Sequence, residues 1–150
     1  MTIPLPQATI LLITFNQEDK VREAIAGALA QTYSPLEIII SDDCSTDQTW
    51  REIEESVAAY QGPHRIRLNR NQQNMGIGAH LSKLAAMASG ELLFVAAGDD
   101  VSLPCRCEVV VDAWLKADRK PDLISADLVD MDLDGRLHDV IQPTDLTGMT

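Results

Sequence analysis

Leu92-Leu93-Phe94-Val95-Ala96-Ala97-Gly98-Asp99-Asp100 is the stretch whose reading decides the fold. A short, uninterrupted apolar run is the pattern of a strand buried on both faces. The two acids at its carboxyl end then stand at the rim of a sheet, not in its core. Adjacent like charges repel, and a divalent cation with oxygen ligands is one way to compensate them. The plainer alternative is that Asp99 and Asp100 only open a solvated loop.

The same grammar recurs upstream. Ala8–Ile13 is a β-branched run ending at Thr14-Phe15-Asn16, and Leu36–Ser41 carries Ile38-Ile39-Ile40 and ends at Asp42-Asp43. Arg65–Asn69 is a shorter strand, with Ile66 and Leu68, followed by a polar loop through Asn74 to Gly76. Helical patterns alternate with these strands. Asn16 is placed to cap the first, with Glu18 and Asp19 at its positive end and Val21, Ile25 and Leu29 on one face. Ser45 and Gln48 have the form of a capping box for the second, whose face is Trp50, Ile53, Val57 and Tyr60. Gly78–Ser89 reads as the third, with Leu81, Leu84, Ala85 and Ala88 inward and Gly90 as its stop. Ser102 and Pro104 suit the start of the fourth, with Val109, Val110, Ala113 and Trp114 on its face. Asp122–Asp127 and Leu128–Met131 read as strand, Asp134-Gly135 as a hairpin turn and Leu137–Ile141 as the return. Gln142–Thr150 shows no pattern.

Strand–helix alternation predicts an α/β fold, a mainly parallel sheet with helices on both faces, with an antiparallel hairpin near the C-terminus. Ligands bind such sheets outside the carboxyl ends of the strands. Thr14–Asn16, Asp42-Asp43, Asn74–Gly76 and Asp99-Asp100 all fall at that one edge. Two acid pairs there, each following a buried strand, look like a site.

Composition narrows the chemistry. At 150 residues and 45% hydrophobic content, residues 1–150 are expected to form a single globular domain. A net charge of −11 without any basic run argues against a nucleic-acid surface. A phosphorylated small molecule remains compatible if a metal or a few placed cations shape the local field. Three cysteines, Cys44, Cys105 and Cys107, make a poor disulfide framework and fit a reducing, cytoplasmic setting. Cys105-Arg106-Cys107 has no second Cys/His pair to complete a metal site and reads as structural thiols. The N-terminus has no signal-peptide pattern, and no run approaches a transmembrane span, so any membrane contact falls to regions outside this chain. His64, His80 and His138 are scattered and read as loop or surface residues.

Each candidate residue has two readings. Asp43 accepts hydrogen bonds from a base or a ribose, or it favours the positive end of the next helix. Phe15 stacks on a flat base, or rims the core. Asn74-Met75-Gly76 lets backbone approach a ligand, or is an ordinary turn. Gly76-Ile77-Gly78 lacks the later glycine of a dinucleotide fingerprint and precedes the wrong helix, and no Walker A pattern occurs. Asp99-Asp100 repels phosphate directly. Mg²⁺ or Mn²⁺ resolves this by taking carboxylate from the protein and diphosphate oxygens from the ligand, and it also stabilises a departing diphosphate.

Taken together and in order, several of these pieces resemble the family 2 glycosyltransferases over roughly residues 8–131. They are Thr14-Phe15-Asn16, Ala30-Gln31-Thr32-Tyr33, Leu36–Asp43 with Ser45-Thr46-Asp47, Asn74–Ala79, Ser89-Gly90-Glu91 and Gly98-Asp99-Asp100. The resemblance implies a GT-A fold and a nucleotide-diphospho-sugar donor. It implies that Asp43 reads the base, that Asp99 lies toward ribose or sugar, and that Asp100 holds Mn²⁺ or Mg²⁺. Thr14, Phe15 and Glu18 would line the nucleotide pocket, with Asn16, Asn74 and Gly76 as further substrate-side residues. It also implies an inverting transfer to a saccharide or other hydroxyl acceptor, helped by a general base expected beyond residue 150.

Two departures stand out. Ile13 occupies the usual place of Pro, and Leu81-Ser82 that of a common Arg-Asn pair. Because the resemblance puts the acceptor half and the base later than residue 150, the chain is expected to be the donor-binding part of a longer enzyme. A sugar-phosphate nucleotidyltransferase is the nearest alternative, but Thr14–Glu18 lacks the Gly-rich, basic loop of that class. A non-catalytic receiver- or flavodoxin-like module would want an acid after strand one, which is also missing.

Overall fold

The computed structural model describes residues 4–126, 128–132 and 134–141. The chain divides into two compact units between Asp112 and Ala113. The first is built on β1 (Ala8–Thr14), β2 (Leu36–Asp42), β3 (Arg65–Arg70) and β4 (Leu92–Ala97). These form one parallel sheet in the order β3-β2-β1-β4. Its register aligns Ile66, Ile38, Ile10 and Phe94 in a row across the sheet.

Every residue of β2 is buried, as expected for a central strand of a two-sided sheet. Alternate side chains serve opposite faces. Leu11 and Ile39 pack with Leu84 of α3 (Ile77–Met87), flanked by Ile13, Leu81, Met87 and Ala88. Ile10, Leu12, Ile38 and Ile40 point the other way and are completely buried. That face is covered by α1 (Val21–Leu29), which inserts Val21, Ala24, Ile25 and Ala28, and by α2 (Thr49–Ala58), which inserts Ile53. From β1 the chain steps outward to β2 and β3, then returns past β1 to lay down β4. The crevice between the carboxyl ends of β1 and β4 is thus the topological switch point where open α/β sheets bind ligands.

The opening stretch is corrected in one respect. β4 is an edge strand, and only its Phe94 and Ala96 face is buried; Leu93 and Val95 are 44% and 51% exposed. An apolar run alone does not say whether a neighbour lies alongside. Here Arg106 partly closes the edge, donating from Nη2 to the Val95 carbonyl at 2.8 Å while its guanidinium lies over the Phe94 ring.

Helix starts are corrected too. α1 begins at Val21, not after an Asn16 cap, and α2 begins at Thr49 without a Ser45 capping box. α3 ends at Met87, short of Gly90. α4 (Arg106–Lys116) starts two residues beyond Pro104. Its buried positions are Cys107, Val111 and Trp114, whereas Val109 is exposed, so its inward face is offset from the expected one. Burial pushes the Cys107 thiol up to about 11, and Cys105 is exposed, which suits structural thiols.

The second unit holds the last residues of α4 and a hairpin. Trp114 donates its indole N–H to the Pro121 carbonyl at 3.2 Å. Residues 122–126 are not strand, and Asp127 lies outside the described residues. β5 (Leu128–Met131) and β6 (Leu137–Ile141) pair antiparallel as expected. Their turn is held by Asp132 Oδ1, which accepts from the Asp134 and Arg136 amides at 3.0 and 2.9 Å. The patternless tail, residues 142–150, lies outside the described residues.

Candidate functional site

The loops after β1 and β2 are laced together by side chains that looked like helix caps. Thr14 is buried and donates its hydroxyl toward the Ser41 carbonyl and Asp42 Oδ1, both at 3.2 Å. Asn16 sits in the left-handed region (φ 48°). Its amide donates to Ser45 Oγ at 2.8 Å and its Oδ1 accepts from the Thr46 amide at 2.9 Å. Gln17 donates its amide to Thr49 Oγ1 at 2.7 Å. Glu18 accepts the Gln48 amide at 2.7 Å, and its own amide donates to Asp47 Oδ2 at 3.2 Å. Asp47 is pushed up by burial, but hydrogen bonds from Thr49 and the Glu18 amide bring it below the usual carboxylate range. Asn16, Ser45 and Asp47 therefore pair across two loops, which is why neither helix starts where local pattern puts it.

The adjacent acids after β2 divide their roles. Asp42 is fully buried and faces the loop, accepting from the Ser45 amide at 3.0 Å and from the Ser45 and Thr14 hydroxyls. Asp43 faces the other way. Its Oδ1 accepts from Asn71 Nδ2 and the Met75 amide, both at 2.8 Å, and its Oδ2 from the Gly76 amide at 3.0 Å. Burial raises its pKa, but these bonds and the nearby His80 more than offset that, leaving it below the ordinary value. A carboxylate has about four acceptor directions, so three are taken and one is left open. Neither acid sits at a helix start. Asn74, exposed, accepts the Gly76 amide at 3.1 Å and shapes the turn that presents those amides.

At the switch point these strand ends enclose a cleft of about 340 Å³, lined by Thr14, Phe15, Gln17, Asp43, Ile77, His80 and Asp99 among others. Phe15 presents a ring that is 45% exposed. Gly98 lets the end of β4 reach β1: its amide donates to the Ile13 carbonyl at 2.9 Å, and a Cβ there would lie 2.8 Å from Thr14 Cγ2. That approach sets the acid pair beside Thr14 and Phe15. Asp100 follows Asp99, exposed. Of the expected residues, Thr14, Phe15, Asp43 and Asp99 meet at the cleft. Asn16, Glu18, Asn74 and Gly76 build the loops around it.

His80 was missed. The expectation of a surface histidine fails: it is 2% exposed on α3, its Nε2 lies 2.6 Å from Ser41 Oγ, and it lines the cleft with Asp43. Burial lowers its pKa, the Asp43 charge raises it, and the net direction is down. Its only sequence signal was its place on the inward face, four residues before Leu84. His64 is buried as well, and its Nε2–H donates to the Gln31 carbonyl at 2.9 Å.

A family model described as Glycosyl transferase family 2 matches residues 9–132. The chain belongs to glycosyl transferase family 2. It is 32% identical over 127 residues to a putative glycosyltransferase, EpsE, of Bacillus subtilis, covering 85% of this chain and 45% of that protein. The chain spans less than half the length of the curated relatives it matches. Among solved structures it resembles S. aureus TarS 1–349 in complex with UDP, at a TM-score of 0.65 and 20% identity over 73% of this chain and 32% of that one. It also resembles the Pyrobaculum calidifontis mannosyltransferase in complex with GDP-Man and Mn²⁺, at 0.60 and 21% over 64% and 28%. These likenesses establish the shared fold, with its mainly parallel sheet and GT-A neighbours.

For a family 2 domain the question of a metal turns on the donors it presents. Asp99 and Asp100 offer hard oxygen ligands of the kind Mg²⁺ and Mn²⁺ take. No hydrogen bond or ion pair among the described residues occupies either carboxylate. No group of three His, Cys, Asp or Glu among the described residues would hold an ion by itself. The pair fits a metal whose remaining ligands come from a bound diphosphate and water. No helix among the described residues is long and apolar enough to cross a membrane.

Proposed function

We propose that this chain binds a nucleotide-diphospho-sugar through Mn²⁺ or Mg²⁺ and forms the donor-binding part of an enzyme that transfers the sugar to an acceptor hydroxyl with inversion. The observation that carries this is the meeting of Phe15, Asp43 and Asp99 at one switch-point cleft. Phe15 offers a face for the base, and the remaining acceptor direction of Asp43 takes a base N–H. Asp99 lies toward the ribose or sugar. Asp100, with Asp99, would hold the cation, which when bound supplies Lewis-acid stabilisation of the leaving diphosphate. In the transfer, the acceptor oxygen bonds to the anomeric carbon as the bond from that carbon to the diphosphate oxygen breaks. A base takes the hydroxyl proton. Residues 1–150 are read as one GT-A donor domain. Acceptor binding and the base are assigned to the part that the longer relatives have beyond the aligned region.

Titration calorimetry with UDP and with GDP, each with and without Mn²⁺, tests this reading. Binding is expected to need Mn²⁺ and to weaken at least about tenfold in Asp100→Ala, the loss of one charged ligand. Equal affinity without metal, or in that variant, refutes the metal bridge.

A further inference from the structure

We propose that the C-terminal end of α1, through Gly27, Gln31 and Thr32, is the device that positions the Asp99–Asp100 loop. The inference rests on the reading of that loop as the metal and donor side of the cleft. The acid pair does not hold itself in place: its carboxylates have no partner among the described residues, and its nearest local bond is the Asp100 amide to the Ala97 carbonyl at 3.2 Å. On its upstream side the Gly98 amide ties the end of β4 to the Ile13 carbonyl at 2.9 Å, and on its downstream side the loop is held by the end of α1. Gln31 is buried, and three of its four side-chain hydrogen-bonding positions are directed to that downstream side and to the end of α1. Its Nε2 donates to the Leu103 carbonyl at 2.8 Å and the Gly27 carbonyl at 3.1 Å, and its Oε1 accepts the Cys107 amide at 3.0 Å. The Thr32 amide donates to the Pro104 carbonyl at 2.9 Å, and its hydroxyl lies 2.8 Å from Glu108 Oε2.

Gly27 adds an independent observation. A Cβ there would lie 2.8 Å from the Ser102 carbonyl oxygen and 3.1 Å from its amide nitrogen. Both are backbone atoms, which no rotamer change moves aside. The helix is thus cut away to seat Ser102, while Arg106 holds Ser102 Oγ from Nη1 at 3.1 Å. Ser102 is two residues from Asp100, about 7 Å of chain, so a shift at Ser102 reaches the carboxylates. A misplacement of about 1 Å in a positioning group is enough to cost a large factor in rate or binding. Gln31 and Gly27 touch no ligand in this reading; they act through the loop.

The test uses Gly27→Ala, Gln31→Ala and the milder Thr32→Val in the 150-residue chain. Amide hydrogen exchange without ligand is expected to speed up about tenfold or more at residues 99–107, with residues 71–76 and the β-sheet unchanged. With ligand, the Mn²⁺-linked gain in UDP affinity is expected to fall about tenfold while the metal-free UDP affinity stays put. A variant that is merely less stable would instead speed exchange everywhere and weaken both kinds of binding equally. Unchanged exchange at 99–107 in these variants, or a rise spread evenly over the unit in the folded Thr32→Val protein, overturns the proposal. Failure of wild-type chain to bind UDP in a metal-linked way would sink the functional reading instead, and the exchange arm still judges the anchoring.

Discussion

Asp43 receives three protein hydrogen bonds, two of them from the backbone of the loop that precedes α3. Asp43→Asn puts an amide N–H where at least one of those donors points. The expected cost is about 1–3 kcal/mol, the usual penalty for leaving a buried donor unpaired, and urea denaturation measures it. Because the folded carboxyl titrates below its ordinary value, the native state releases the proton more readily than the unfolded chain. The contribution is complete above about pH 3.8, the unreacted carboxylate's value, and is lost as pH falls from there toward the folded value. The stability gap between wild type and variant should therefore be flat at neutral pH and shrink only in strong acid. His80 has the opposite starting charge and the same direction of shift. Its folded pKa is below 6.5, so the unfolded state binds the proton first and stability falls as pH drops below about 6.5. His80→Gln keeps a polar partner for Ser41 and removes the titration. Its denaturation midpoint should change less than that of wild type below pH 6.5, and parallel pH profiles would contradict this account.

For the elements, the telling case is β4. If its outer edge and one face are open, its residues alternate sharply in what they contribute. Phe94→Ala should cost about 3–5 kcal/mol, the range for a buried phenylalanine, and it also removes the ring under Arg106. Val95→Lys should stay within about 0.5 kcal/mol, as exposed substitutions do, since lysine is tolerated on open edges. Chemical denaturation of the two variants decides it, and a large loss in Val95→Lys would show that face to be covered. This is also where legibility ends. The succession of strands and helices along the chain and the acid-bearing strand ends were readable because apolar periodicity is local; the spatial order β3-β2-β1-β4 was not, since it depends on long-range pairing. Whether β4 had a neighbour was not, since that depends on what lies beside it. The helix starts at Val21 and Thr49 were missed because Asn16, Ser45 and Asp47 bond across loops brought together only by the fold. His80 was hidden for the same reason, its partner Ser41 lying on a different element.

At the scale of the whole molecule, the proposed function asks an acidic chain to hold an anion. The net charge of −11 opposes a diphosphate at long range, and Asp43, Asp99 and the adjacent Asp100 oppose it at the cleft. Two carboxylates alone are also a meagre site for a divalent cation, which prefers six or more oxygen ligands. Each partner thus supplies what the other lacks: the cation cancels repulsion between protein and diphosphate, and the diphosphate completes the shell of the cation. Mn²⁺ and UDP should therefore bind with strong positive linkage, and linkage is reciprocal. Titrated alone, Mn²⁺ should bind at least about tenfold more weakly than in saturating UDP, and UDP should gain by the same factor from saturating Mn²⁺. Salt should separate the two regimes. Raising ionic strength screens the net repulsion and should improve the weak metal-free binding of UDP, while metal-linked binding, with charges paired at contact distance, should respond far less. Independent, additive binding of Mn²⁺ and UDP in calorimetric titrations would mean that the acid pair and the nucleotide cleft do not share a ligand.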